Sequence, residues 1–263
     1  MAEPEGVGAT NKEILEIGLE LVDKARALDI PLRLLGAVAI RLHCRQNQHL
    51  FDQAERPISD LDVMSYGTHR KAVQQLLKEQ KYVGDEHLIA IYGETRQIYQ
   101  HPRVAGLKLD VFFDQLRFCH TVPFHGRLEL DYPTITMTDA LLEKMQIVKI
   151  NAKDLKDTII LLLEHTLADR QAVENLDGTY LRKLLGADWG FYHTVTENLR
   201  KVIEFMHQQP FLNAEQMKRV EKNAQDLLAM LAGAPKTLKW NLRAKIGTKM
   251  KWYLDVEETG QIY

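Results

Sequence analysis

The sequence is poor in cysteine and has no long hydrophobic run. Its 263 residues include only two cysteines, Cys44 and Cys119, so we expect no disulfide framework and predict two thiols in a reducing compartment. The longest apolar run, Ile159 to Leu163, is far shorter than the ~20 residues of a membrane-spanning helix. The opening MAEPEGVGAT lacks the basic start and apolar core of a signal peptide. These absences predict a cytoplasmic protein with no membrane partner.

Several common functional signals are also absent. The sequence contains no P-loop and no G-x-S-x-G motif. His120 and His125 lie near Cys119, but their spacing matches no zinc pattern. The net charge of −2 argues against a generally basic surface, so a long polyanion would have to be bound by a local patch.

The hydrophobic pattern differs between the first and second halves of the chain. Residues 1–11 are predicted to be a flexible tail, residues 12–136 a mixed sheet with flanking helices, and residues 137–263 an all-helical bundle. The fold class is therefore α+β, with an α/β-like first part. Caps are expected at Thr10 or Asn11 and at Thr68, with a capping box formed by Asn213 and Gln216.

Strands are predicted where β-branched and aromatic residues concentrate between turn residues. One strand covers residues 58–64 and another, PLRLLGA, ends at Gly36. Further strands are predicted at LIAIYG, TRQIYQ, LKLDVFF, RLELDY and TIT.

Two acids interrupt the apolar strand around residue 60. On a strand, Asp60 and Asp62 project to one face, whereas Leu61 and Val63 project to the other. Asp110 lies on a second apolar strand, and pairing of the two strands in register would bring three carboxylates together. Carboxylates without nearby cysteine or histidine favour Mg²⁺ over zinc, and two such ions can assist an in-line phosphoryl displacement. The alternative is structural, with the acids paired to Arg56 or Arg96.

A glycine turn precedes these acids. RLLGAVAIRL is a strand, a turn at Gly36 and a helix, so the amides of Ala37 and Val38 open a helix that could bind an anion. An ordinary strand-to-helix turn would also use glycine. Alone, this signal is weak.

Together, Gly36-Ala37, Asp60-Leu61-Asp62 and Asp110 resemble the signature of the DNA polymerase β-type nucleotidyltransferase superfamily. Within it, the chain looks most like the abortive-infection and toxin–antitoxin nucleotidyltransferases, whose helical half carries a lysine and a D-x-x-D segment. Lys144, Lys149, Asp154 and Asp157 are the corresponding residues. The resemblance covers residues 30 to about 165.

The resemblance implies roles for these residues. Asp60, Asp62 and Asp110 are the expected catalytic and metal-binding residues, with two Mg²⁺ ions in the presence of a nucleoside triphosphate. Asp110 is also expected to help deprotonate the acceptor hydroxyl. Predicted nucleotide-binding residues, several of which have a plain surface-charge alternative, are Gly36, Ala37, Val38, Arg41, Ser59, Lys144 and Lys149.

The predicted function is transfer of a nucleoside monophosphate from a triphosphate to a hydroxyl of RNA such as tRNA, a protein or a small molecule. A toxin-like role with an antitoxin partner is included. Ala37 has no hydroxyl to hold a phosphate, so the alternative is a catalytically inactive nucleotide-binding, regulatory or interaction module.

The basic, aromatic segment at residues 236–253 has two interpretations. Lysines interleaved with Trp240, Trp252 and Tyr253 suit RNA, because bases stack on aromatic rings and phosphates pair with cations. The favoured alternative is an amphipathic segment whose aromatic residues pack on the helical bundle while its lysines face water.

Overall fold

The computed structural model describes residues 9–170 and 175–255, and these form two compact units. The first comprises the described part of Met1–Leu42 with Pro57–Leu116 and Pro123–Thr136. The second comprises His43–Arg56, Arg117–Val122 and the described part of Met137–Tyr263. Two short segments of the N-terminal half therefore belong to the C-terminal unit. The predicted tail lies mostly outside the described residues.

The first unit is built on a mixed five-stranded sheet. Its strand order is β1-β2-β5-β4-β3, with β2 and β5 parallel and the other neighbouring pairs antiparallel. The strands are β1 (Arg33–Leu35), β2 (Leu61–Ser65), β3 (Val83–Gly84), β4 (Arg96–Gln100) and β5 (Lys108–Phe113). The accompanying helices are α1 (Asn11–Ala27), α2 (Gly36–His43), α4 (Arg70–Glu79) and α5 (Glu86–Tyr92).

One face of this sheet forms the hydrophobic core of the first unit. Leu61 and Val63 of β2 join Leu109 and Val111 of β5 in a single buried cluster with residues of α1, α2 and α4. Because side chains alternate along a strand, this burial sends the intervening aspartates to the opposite face. The predicted alternation of both strands is confirmed.

The second unit is mainly helical. Its helices are α3 (Gln48–Gln53), α6 (Met137–Met145), α7 (Ala152–Glu164), α8 (Gly178–Ala187), α9 (Trp189–Met206), α10 (Ala214–Gly233) and α11 (Leu238–Ile246). A two-stranded parallel sheet pairs β8 (Thr166–Ala168) with β9 (Asn175–Asp177). A further sheet, whose two strands each contain residues of both units, pairs β6 (Gln115–Arg117) with β7 (Thr121–Pro123). These small sheets and α11 are absent from the sequence prediction.

The predicted N-cap at Thr10 and the predicted capping box at Asn213 both form, and Thr10 also belongs to a capping box. Thr10 accepts from the backbone N–H of Glu13 while the Glu13 carboxylate accepts from Thr10, and Asn213 and Gln216 make the same exchange before α10. The predicted cap at Thr68 is wrong. Thr68 lies in a 3₁₀ turn, and α4 begins at Arg70 without a side-chain cap because a hydrogen bond of Thr68 goes to the ring of His69.

Several predicted strands are also wrong. LIAIYG lies in α5 and its C-cap, because the Asp85 side chain accepts from the N–H of Leu88 at 3.0 Å and starts a helix. RLELDY forms turns and bends, closed by local bonds such as Arg127 N–H to Phe124 O. The segment TIT makes one isolated bridge to Leu34 rather than a strand. The strand predicted at residues 58–64 begins at Leu61.

Within residues 9–170 and 175–255, no helix has the length and apolar character needed to cross a membrane.

Candidate functional site

Asp62 and Asp110 are direct neighbours on the two central strands. The parallel register of β2 and β5 pairs Leu61 with Leu109 and Asp62 with Asp110. Adjacent strands lie about 4.8 Å apart, so the two carboxylates leave the sheet side by side on one face. Burial is the main reason that the pKa of Asp110 is raised, and Asp60, one residue before β2, is close enough for its charge to add a smaller increase. The sheet therefore gathers the three predicted acids in one region of the first unit.

Gly36 lies against Asp62. β1 pairs with β2 so that Leu35 is opposite Asp62, and Gly36 follows with a φ of +69°. A Cβ atom on Gly36 would lie well inside van der Waals contact of Asp62 Oδ2 and 3.3 Å from Asp62 Cγ. A side chain at position 36 would thus meet both an unfavourable backbone conformation and the carboxylate. The glycine places the start of α2 beside the acid.

The other predicted residues near the turn differ in exposure. Ala37 and Val38 are buried in the first turn of α2, and Arg41 is buried further along the helix. Ser59 is exposed, and its hydroxyl donates to Asp60 Oδ1 at 3.2 Å.

Asp110 is buried, and its two carboxylate oxygens have different surroundings. Burial raises the pKa of Asp110, and the opposing charge and hydrogen bond of Arg96 offset part of that effect. Arg96 donates to Oδ2 at 2.7 Å, whereas Oδ1 is buried and has no hydrogen-bond partner among the described residues. One oxygen is held by a cation and the other remains available as an acceptor.

The structural alternative, in which the acids pair with Arg56 or Arg96, is found for Arg96 only. Arg96 does pair with Asp110, as that alternative expected. Arg56 instead pairs with Asp157 of α7 at 2.7 Å, and both side chains are buried.

The donor chemistry of the three aspartates suits a hard cation. All candidate ligands are carboxylate oxygens, and the unpaired Asp110 Oδ1 is a buried acceptor. Among the described residues, no three His, Cys, Asp or Glu side chains form a preassembled metal-binding group. Mg²⁺ is commonly held by one or two carboxylates together with substrate phosphates, so it does not require such a group.

Lys144 lies at the centre of a buried charge network in the second unit. Its ammonium is 3.1 Å from Asp154 Oδ1, 3.4 Å from Asp157 Oδ2 and 3.8 Å from Glu143 Oε1. Burial alone would lower the pKa of Lys144, but the three carboxylates together raise it. The lysine and the D-x-x-D segment singled out in the sequence are therefore in contact.

Part of this network was not predicted. Glu143 was missed, although its position beside Lys144 on an apolar helix was a usable signal. Asp154 and Asp157 pair with Lys144 rather than with the neighbouring lysines, and Lys156 donates to Ala54 O at 2.6 Å. Lys149 is exposed.

Of the histidine and cysteine residues near position 120, Cys119 and His120 are buried. His120 stacks on Phe191 and hydrogen-bonds to Thr194 Oγ1 at 2.8 Å, whereas His125 is exposed. Both cysteines are buried free thiols. Burial is the main reason that the pKa of Cys44 is raised well above its usual value.

Among solved structures, the chain is similar to an antigenic nucleotidyltransferase-like protein from Paracoccidioides brasiliensis. The sequence identity is 15% and the TM-score 0.40, with 88% of this chain and 97% of that chain covered. No protein-family model and no curated protein matches the chain.

Proposed function

We propose that the chain is a polymerase β-type nucleotidyltransferase that moves a nucleoside monophosphate from a triphosphate to an acceptor hydroxyl. The observation that carries the proposal is the parallel, in-register pairing of Asp62 with Asp110. Asp60 just before β2 and Gly36 against Asp62 complete the arrangement.

In this proposal, Asp60, Asp62 and Asp110 bind Mg²⁺ together with the triphosphate. When bound, the metal would neutralise charge that develops on the phosphate oxygens. The acceptor hydroxyl attacks the α-phosphorus, the bond to the bridging oxygen breaks, and pyrophosphate leaves. Asp110 Oδ1 receives the hydroxyl proton while Arg96 holds Oδ2. A raised carboxyl pKa makes Asp110 a better proton acceptor near neutral pH.

The roles of the remaining residues follow from the resemblance and stay predictions. Main-chain amides of Ala37 and Val38 are proposed to meet phosphate oxygens at the helix start. Ser59, Arg41, Lys144 and Lys149 are further proposed phosphate contacts, and the acceptor is RNA, a protein or a small molecule. A toxin-like role with an antitoxin partner belongs to the same proposal.

The second candidate is a nucleotide-binding module without catalysis. The ion pair between Arg96 and Asp110 favours it, because a cation already occupies part of the position that a metal would take. The two candidates predict different outcomes for turnover but the same outcome for nucleotide binding.

Pyrophosphate release from each of the four nucleoside triphosphates with Mg²⁺ tests the proposal. Wild type, the Asp60→Asn/Asp62→Asn variant and Glu204→Gln, an exposed control, are assayed with total RNA, an aminoglycoside or no acceptor. Release by wild type and Glu204→Gln alone supports a transferase. Magnesium-dependent binding without release supports the second candidate. If wild type and the two variants release pyrophosphate equally and also bind nucleotide equally, both candidate functions are refuted.

A further inference from the structure

All three tryptophans of the chain line one pocket in the second unit. Trp189 opens α9, Trp240 lies on α11, and Trp252 lies in the segment that follows α11. The pocket has a volume of about 360 Å³, and Leu242, Lys239 and Arg243 contribute to its walls. Pockets of a few hundred cubic ångströms hold small organic groups. This pocket is large enough for one nucleobase with its sugar.

Backbone contacts fix the walls of this tryptophan pocket. Arg243 donates to Gly247 O at 2.6 Å and to Met250 O at 2.8 Å, and so anchors the segment that carries Trp252. The indole N–H of Trp252 donates to Thr194 Oγ1 at 3.1 Å. A Cβ atom on Gly190 would lie 2.5 Å from Trp252 O, so the segment packs tightly on the start of α9. The pocket is therefore held in place rather than left open between loose side chains.

The tryptophan rings differ in what covers them. Trp189 stacks on His193 with a 6° interplanar angle, and the Arg243 guanidinium lies 4.8 Å from its ring centroid. The Lys236 ammonium lies 5.3 Å from the ring centroid of Trp240. Trp240 and Trp252 meet their ring neighbours at angles of 73° to 78°. In the described part of the chain, no ring stacks in parallel on either of them. An aromatic ligand could supply that stacking partner.

Positive charge borders the pocket on the side of residues 236–254, whereas the acidic lining residue Asp188 caps α9 by accepting from the N–H of Phe191. Residues 236–254 contain six lysines and arginines and no Asp or Glu, although the whole chain has a net charge of −2. Lys236, Arg243 and Lys251 are engaged by carbonyl groups or by Asp255. Lys239, Lys245 and Lys249 are exposed and form no salt bridge with described residues. These three ammonium groups are available to an anion.

We propose that the tryptophan pocket binds a nucleobase that carries phosphate, with the base against Trp240 and Trp252 and the phosphate near Lys239. The same chemistry is offered by a free nucleotide and by an unpaired nucleotide of RNA. Aromatic rings interleaved with lysines favour a base over an acidic peptide, because a peptide gains little from stacking surfaces. This proposal goes beyond the proposed transferase reaction and does not depend on Asp60, Asp62 or Asp110.

Intrinsic tryptophan fluorescence is a direct probe, since every tryptophan lines the pocket. Adenosine 5′-monophosphate, a single-stranded ten-nucleotide RNA and a helical Glu/Leu peptide are titrated separately into the full chain. The Asp60→Asn/Asp62→Asn variant with EDTA is used as the background, so that binding at the candidate active site does not contribute. Test variants are Trp240→Leu and Lys239→Glu, with Lys218→Glu, an exposed lysine on α10, as the control.

We expect saturable quenching by the ligand. Trp240→Leu should weaken the binding affinity at least about fivefold, because it removes a stacking surface for the base. For the RNA, Lys239→Glu should lower the slope of log affinity against log salt by about one, whereas Lys218→Glu leaves it unchanged. Quenching by the RNA alone identifies a polynucleotide as the source, and equal affinity for the monophosphate identifies a free nucleotide. Quenching by neither, or by the peptide alone, would overturn the proposal. Failure of turnover at the aspartates would leave this result unaffected.

Discussion

Replacing Gly36 with alanine should damage the candidate active site through two separate effects. The first is conformational, because a left-handed backbone costs a residue with a Cβ atom about 1–2 kcal/mol. Gly36 has a φ of +69°, so Gly36→Ala should incur this cost. The second is steric, because the new methyl group would displace the Asp62 carboxylate. We expect a loss of more than about 2 kcal/mol in the free energy of unfolding, because both effects act together.

Gly126 provides a matched control for the conformational effect. It also belongs to the first unit and has a φ of +65°, but a Cβ atom there would have no neighbour within 4 Å. Gly126→Ala should therefore lose only the conformational part, about 1–2 kcal/mol. The difference between the two variants measures the contact between position 36 and Asp62.

The assay combines guanidinium denaturation with magnesium-dependent nucleotide binding. Gly36→Ala should unfold at a lower denaturant concentration than Gly126→Ala and should bind nucleotide more weakly, whereas Gly126→Ala should bind as wild type does. Equal stability and equal nucleotide binding of the two variants would refute this prediction, because a methyl group at position 36 would then not displace the Asp62 carboxylate.

Three further predictions concern buried ionisable groups. Lys144→Met should lose about 3–5 kcal/mol of stability in denaturation because it removes the ammonium that the Glu143, Asp154 and Asp157 carboxylates share, whereas exposed Lys149→Met should change little. Burial raises the pKa of Asp110, so the stability of wild type relative to Asp110→Asn should fall as the pH rises above 3.8. A constant difference between the denaturation midpoints of the two proteins from pH 4 to 7 would contradict this. Burial lowers the pKa of His120 to about 4, so the free energy of unfolding should decrease as the pH falls from 6.5 toward 4. A midpoint near pH 6.5 for His120 in an NMR titration would disprove this.

The central strands were predictable because their sequence satisfies two requirements at once. Leu61 and Val63, like Leu109 and Val111, alternate with aspartates, and only a strand places all four apolar side chains on one buried face. The pairing of the two strands was not predictable from either one alone. It depends on the intervening residues 66–107, which return the chain to the neighbouring position in the sheet.

Short segments were mispredicted where a single hydrogen bond outweighs residue preference. The β-branched and aromatic residues of LIAIYG favour a strand, but the Asp85 carboxylate caps a helix at that point. At TIT, Pro133 has no N–H, and Ile135 donates to Leu34 O, so contact with β1 is limited to one bridge. The Asp85 cap is local and was a usable signal, whereas Leu34, the partner of Ile135, is distant in the sequence and its neighbours do not reveal it.

The contacts of Lys144 could be predicted only in part. The resemblance placed Lys144, Asp154 and Asp157 in one motif, but the participation of Arg56 requires the segment before β2 to lie beside α7. No local pattern specifies that position.

The division of the chain has a practical consequence for protein expression. A fragment that ends at Thr136 would retain His43–Arg56 but would lack α7, on which this segment packs. It would carry Leu50 and Phe51, which are buried in the full chain, and an Arg56 guanidinium without the Asp157 carboxylate. Such a fragment would be prone to aggregate, because exposed apolar surface promotes association. Excising residues 43–56 and joining Leu42 to Pro57 through a short glycine–serine linker removes the longer of the two segments that belong to the second unit, and is therefore a better route to a sheet unit than a single cut.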